Sequence, residues 1–288
     1  MNKPKLRKVK EKGMEIVFII TACVSVLAVA LICIFLFANG LPAIFKIGAG
    51  NFLLGKKWLP SSGEYGIFPM IIGSLYITAG AVITGVPVGI FTAVFMAKFC
   101  PKKLYKIIKP AVDLLAGIPS VIYGFFGIVV LVPLVRNNFD SNGLSILTAS
   151  LLLGIMILPT IIGVSEAALR AVPESYYEGA LALGATHERS IFMVVLPAAK
   201  SAVFAGVILG IGRAIGETMA VIMVAGGQAR IPDSILQGVR TLTVNIVMEI
   251  GYATDLHREA LIATGVVLFV FILIINTAFS ILKGRTDK

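Results

Sequence analysis

The chain has 288 residues, 58% of them hydrophobic and 14% charged, with a formal net charge of +10 and a mean hydropathy of +0.96. These values lie far from soluble-domain averages and exclude an ordinary water-soluble enzyme or binding module. The basic excess reads as a topology and lipid-headgroup signal, so no nucleic-acid partner is needed to explain it.

Five uncharged runs, at 16–45, 65–97, 114–135, 141–165 and 260–282, each exceed the roughly 20 residues that span a bilayer. A sixth, 201–229, is interrupted by Arg213 and Glu217. The fold class is therefore all-α integral membrane with six transmembrane helices. The first run follows a basic tail over 1–13 and is about twice the length of a signal-peptide apolar core, so it reads as an uncleaved anchor whose helix begins near Met14. The chain divides into that tail, a first helix with an external loop (14–64), a five-helix core (65–282) and a basic tail at 283–288. With the N-terminus inside, 17 of the 25 Lys and Arg fall in cytoplasmic segments. The positive-inside rule thus puts both termini in the cytoplasm.

In the first external loop, Trp58 and Tyr65 suit the headgroup level, although a packed loop is the competing reading. Thr84, Pro87, Gly154 and Pro159 mark weak points in the second and fourth helices, or sites of close packing. Pro119 removes a helical hydrogen bond within "GIPSVIYGFFG", and Gly117, Gly124 and Gly127 soften that stretch. A broken or kinked helix follows, with Ser120 and Tyr123 facing a polar cavity or, alternatively, small residues packing closely. The segment 227–257 carries Ile235, Leu236, Val239, Leu242, Ile246, Val247 and Ile250 at helical spacing, which predicts an amphipathic helix on or in the outer leaflet. Cys23 and Cys33 lie about 15 Å apart along one helix, too far for a disulfide. No spacing suggests a metal site, and His187 and His257 read as solvated loop residues.

The connector 169–200 is far longer than two membrane helices need. Pro173 and Glu174 suit a helix start, Tyr176, Ala180 and Leu183 share one face, and Gly184 ends the helix. Thr186 caps a second helix, closed by Pro197. The result is a helix-turn-helix across the cytoplasmic face, suited to docking.

Within it, Glu178, Gly179, Ala180, Gly184, Val194, Leu196 and Pro197 resemble the coupling-loop signature of ABC importer permeases. Gly179 and Val194 are the two departures, where the family has Ala and Ile. "LLAGIPSVIYGFFG", "ALALGATHERSIFMVVLPAA" and "ILGIGRAIGETMAVIMVAGG" are similar to the phosphate importer permeases of PstC type, over nearly all the chain beyond the first helix. The resemblance implies a type I importer permease fold in a bacterial cell membrane. It also implies a PstA-type second permease, a dimer of ATPase subunits that binds ATP and Mg, and an extracytoplasmic phosphate-binding protein. Glu178, Gly179, Ala180, Gly184, Ala185, Leu196 and Pro197 would then couple to the ATPase. This chain has no G-x-x-x-x-G-K-[ST] loop and would itself be non-catalytic.

Arg213 and Glu217 stand four apart, on one face of an unbroken helix, and so are able to pair. Two readings stand: a structural ion pair, or a positive site for an anion tempered by a neighbouring Glu. On the resemblance, the pathway residues are Arg213, Glu217, Thr218, Ser120 and Tyr123, with inorganic phosphate as cargo and membrane lipid around. The alternatives are another oxyanion, sulfate or molybdate, and a protein that mainly signals phosphate status. Paired Asp residues, His-Glu-x-x-His and Ser/Lys pairs are absent from the helices, which argues against an intramembrane enzyme.

Overall fold

The computed structural model describes residues 3–286. Residues 1–2 and 287–288, and the side chains of 3–10, 279–280 and 282–286, lie outside the described residues, and with them most of both basic tails.

Helix α1 runs Lys3–Ile47. It starts upstream of the expected Met14 because Lys, Arg, Glu and Leu are good helix formers. Its most apolar stretch has no residue buried within this chain; only its last turns pack, with Phe37 edge-to-face on Phe269 at 5.7 Å between centroids. A short α2 (Ala49–Leu54) and a hairpin of β1 (Trp58–Leu59) and β2 (Glu64–Tyr65) follow. Trp58 and Tyr65 pair across that hairpin and are 6% and 8% exposed. They fill a packed loop.

The centre of the bundle is α3 (Phe68–Val94), extended by a π-helical turn at Phe95–Phe99, against α7 (Ile146–Ala171). Both helices continue through their prolines, Pro87 and Pro159. The small residues allow close approach: a Cβ on Gly85 would lie 2.7 Å from the Gly154 carbonyl oxygen, and one on Gly154 would collide with Thr84 Oγ1. These positions are packing features.

Between α3 and α7 the chain forms α4 (Lys102–Gly117), α5 (Ser120–Phe126), a π-helical turn and α6 (Val132–Asn138). The expected span 114–135 is displaced to Ser120–Asn138, because the chain breaks at Ile118–Pro119, both extended. The Lys-rich stretch ahead of that break is the amphipathic α4, whose Tyr105, Ile108 and Val112 pack with Met96 and Ile162.

Beyond α7 come α8 (Glu174–Ala182), α9 (His187–Ser190), a π-helical turn and α10 (Leu196–Ala198). After a 70° bend, α11 (Lys200–Gly216) enters the bundle, followed by α12 (Met219–Val224), α13 (Leu242–Glu249) and α14 (Asp255–Thr286). The sixth run, expected to be one helix over 201–229, is broken after Gly216. Among the described residues five helical stretches are long and apolar enough to cross a membrane, or six if the bent pair His187–Ala198 and Lys200–Gly216 is one span.

The segment 227–257 also differs from expectation. Only Leu242–Glu249 is a longer helix within it. Over 235–239 the backbone instead satisfies the first N–H groups of α7: Ile146 donates to Gln237 O (3.0 Å) and Leu147 to Ile235 O (2.9 Å). Those donors have no partner inside their own helix, so the loop serves α7 at the expense of its own periodicity. Val239, Leu242 and Val244 are fully buried whereas Ile235, Val247 and Ile250 are exposed, so one side of this segment packs into the protein and the other stays open.

Candidate functional site

Two helices break in the middle of the bundle, and the second pieces, α5 and α12, pack on each other. The first break is stitched by Tyr123, 5% exposed, whose hydroxyl donates to Leu115 O at 2.8 Å. Tyr123 therefore does not face an open polar cavity as expected; its hydroxyl satisfies a carbonyl at the end of α4. Ser120, the first residue of α5, is half-buried.

The second break separates the two charges. Arg213 sits half-buried in the last turn of α11, where a cation complements the negative end of the helix dipole. Glu217 lies past the helix end with extended backbone (φ −71°, ψ 131°), so the two no longer share a face. Glu217 Oε1 accepts the N–H of Thr218 and of Ala220, each at 3.1 Å, and so caps α12. The Thr218 hydroxyl donates to Gly216 O at 3.3 Å, and Thr243 Oγ1 donates to Glu217 O at 3.2 Å. No ion pair joins Arg213 to any carboxylate among the described residues. Thus Tyr123 stitches the first break, Glu217 and Thr218 form a cap at the second, and the expected Arg213–Glu217 pair is not made.

The hairpin 173–197 forms as the sequence suggests. The carbonyl of Ala180 accepts Ala185 N–H at 3.1 Å and that of Leu181 accepts Gly184 N–H at 2.9 Å. Gly184 takes φ +84°, a left-handed conformation. Thr186 Oγ1 accepts Arg189 N–H at 3.3 Å. Glu178, Gly179 and Pro197 are exposed, Ala185 and Leu196 half-buried and Ala180 buried. Tyr176 and Leu183 are open (52% and 91%) while Ala180 between them is buried. Ile191, Val195 and Leu169 pack the hairpin onto the bundle. His187 is no solvated residue: Tyr177 Oη lies 2.7 Å from its Nδ1, and Phe99 packs edge-on at 4.9 Å.

Two ionic clusters were not foreseen. On the hairpin half, Glu166 is 3% exposed and accepts from Tyr105 Oη (2.6 Å) and Arg170 Nε (2.8 Å), with Lys109 Nζ at 3.5 Å. Arg170 also donates to Met96 O at 2.8 Å. This ties α4, α7 and the end of α3 together. The i,i+4 pairs Glu166/Arg170 and Lys109/Asp113 were the available signals.

At the opposite end Glu249, 7% exposed, accepts from Trp58 Nε1 at 2.8 Å and from Arg240 Nη1, with His257 Nε2 at 2.8 Å. Arg240 also donates to Asn245 Oδ1 and Gly227 O, both at 3.0 Å. His257, expected in solvent, is thereby held between the first loop and α13. Burial opposes the ionised form of Glu249, but hydrogen bonds from Trp58, His257 and Arg240 outweigh it and hold the carboxyl below the ordinary carboxylate range.

The sequence profile of the family described as binding-protein-dependent transport system inner membrane component matches residues 85–288. A probable ABC transporter permease protein of Bacillus subtilis, YqgH, is 38% identical over 90% of this chain and 88% of its own length. The phosphate transport system permease protein PstC of Mesorhizobium japonicum is 33% identical over 89% of this chain and 84% of its own. Among solved structures, a chain of the inward-facing MetNI methionine ABC transporter superposes with a TM-score of 0.63 at 20% identity, covering 77% of this chain and 96% of that one. That likeness bears on the fold alone. The broken-helix bundle with its Gly184 hairpin, the profile match and these relatives lead to one assignment: the chain is a multi-pass membrane protein belonging to the binding-protein-dependent transport system inner membrane component family.

Proposed function

We propose that the chain is a permease subunit of an ATP-driven importer of inorganic phosphate. The hairpin and both termini face the cytoplasm, as the distribution of Lys and Arg favours. The hairpin passes force from a dimer of ATPase subunits, which bind ATP and Mg; a second permease of PstA type completes the pathway, and an extracytoplasmic phosphate-binding protein delivers the cargo. Phosphate as the substrate class rests on what the PstC relatives are named for.

The observation that carries the site is Arg213. A charged side chain within the membrane is costly, up to roughly 2.5–3.5 kcal/mol at a helix centre on insertion scales, and here, in the last turn of α11, no carboxylate lies within ion-pairing distance among the described residues. It stands in the last turn before the break between α11 and α12, and irregular backbone at membrane depth is tolerated where it is buried in protein or lines a water-filled cavity. A planar guanidinium there offers phosphate oxygens a bidentate partner. Glu217 shapes the site by capping α12 and adds a nearby negative charge that limits how tightly the anion is held.

The test is phosphate uptake into vesicles that contain equal amounts of assembled complex. Arg213→Met should fold and assemble yet abolish uptake, and Arg213→Lys should retain little, since it keeps charge but loses the fork. Near-normal uptake by Arg213→Met would overturn the assignment.

A further inference from the structure

At the 70° bend between α10 and α11 the chain forms a groove of about 440 Å³ against the second half of α3. That is within the range of about 300–1,000 Å³ typical of ligand pockets. Its walls are hydrocarbon: Val86, Ile90, Pro197, Val203 and Phe204 line it, and the single polar residue on its rim is Lys200. Phe204 is 41% exposed. The Lys200 side chain is also exposed and forms no ion pair among the described residues.

Depth and charge narrow the occupant. The groove lies between two membrane-crossing elements, near the ends that approach the hairpin, hence at acyl-chain depth in the leaflet on the hairpin side. Water there would find no polar partner along the walls, which the Lys200 stem lines only with carbon, whereas an ordered water typically needs two or more. Hydrocarbon matches the walls, and an anion matches the rim. The bend itself supplies the concavity, since Ala199 closes α10 with ψ near zero before α11 sets off in a new direction.

We propose that this groove binds an anionic phospholipid of the leaflet on the hairpin side, one acyl chain along Val86, Ile90 and Phe204 and its phosphodiester at the Lys200 ammonium. The lipid fills the angle between the hairpin and α11, so it braces the joint through which the docking element moves the bundle. The proposal uses the membrane placement given above but not the identity of the cargo. A failure of phosphate transport would leave it standing.

The test is lipid retention. The complex is reconstituted in vesicles of equal phosphatidylcholine and phosphatidylglycerol, re-extracted in mild detergent, and its bound lipid counted by mass spectrometry. The wild type should retain phosphatidylglycerol over phosphatidylcholine. Lys200→Gln should lower that preference about fivefold, the effect of roughly one lysine facing an anionic surface, and Lys200→Arg should restore it. Val86→Trp fills the groove and should cut retention of both lipids. Because Lys200 is exposed, its variants decide the matter even if Val86→Trp fails to assemble. Equal retention of the two lipids by the wild type, or an unchanged preference in Lys200→Gln, would overturn the proposal. So would a photo-crosslinker at position 204 that captures a second permease chain in place of lipid.

Discussion

Arg213 and Glu217 provide a test in which two arrangements of the same residues give different energies. Were they an ion pair, removing either partner would leave an uncompensated charge and cost about 3–5 kcal/mol. Removing both would recover much of that loss, and a double-mutant cycle would return a coupling of up to about 3 kcal/mol. The structure assigns Glu217 a different task, accepting two backbone N–H groups at the start of α12. Glu217→Ala should then cost about 1–2 kcal/mol as a lost cap. Glu217→Gln keeps an acceptor oxygen on the same stem and should cost less than half as much. Arg213→Met removes a charge without orphaning a partner and should not destabilise the chain. The coupling between the sites should stay within about 0.5 kcal/mol, the additivity expected of residues that share no partner. Reversible unfolding of the chain by sodium dodecyl sulfate in mixed micelles supplies the four free energies. A coupling above about 2 kcal/mol, or equal losses for the Gln and Ala variants, would refute the cap and restore the ion pair.

Gly184 has φ +84° and open space where a Cβ would point, so backbone conformation alone decides a substitution there. Gly184→Val should cost of order 1 kcal/mol and release the ATPase on co-purification, whereas Gly184→Asn, which tolerates the left-handed region, should keep it bound. The carboxyl of Glu249 is held below its ordinary range, so its contribution to stability is fully present above about pH 4.3 and is lost as pH falls through the folded value. Unfolding at pH 7 and pH 3 should show a smaller loss in Glu249→Gln than in the wild type. Tyr105→Phe removes one of the donors to buried Glu166 and should cost about 1–3 kcal/mol in the same unfolding assay. With Cys23, Cys33 and Cys100 replaced, a cysteine at Ser141 or Ser234 should label from outside and one at Thr286 only after permeabilisation; the reverse pattern would invert the topology.

The hairpin was legible because each of its signals acts within one helical turn. Pro173 sets a helix start, Gly184 supplies a left-handed stop, and Thr186 accepts the N–H of Arg189. Pro119 was legible for the same reason, since a missing N–H breaks the helix wherever it falls. The Arg213–Glu217 reading went astray on a single premise: i,i+4 geometry holds only while the helix lasts. The break after Gly216 has no proline to announce it. It becomes visible only when the Glu217 carboxylate is seen to accept N–H groups ahead of it, and when Thr243, 26 residues on, is seen to hold the Glu217 carbonyl.

A similar limit explains the segment 227–257. Its apolar spacing is helical from Ile235 to Ile250, yet over 235–239 the chain surrenders that period to the unpaired N–H groups of α7. A demand some 90 residues away outweighs local propensity, because an unsatisfied donor inside a membrane protein costs more than a forgone helical turn. Glu249 is governed from further still, by Trp58 at a separation of 191 residues, and neither neighbourhood alone calls for the other. The cost of burying one carboxylate nevertheless dictates what must surround it: donors from Trp58 and Arg240, together with His257. Such a cluster fixes the first loop, α13 and the start of α14 as one unit. Motion at this end of the bundle must therefore carry that unit whole or break a buried charge from its partners.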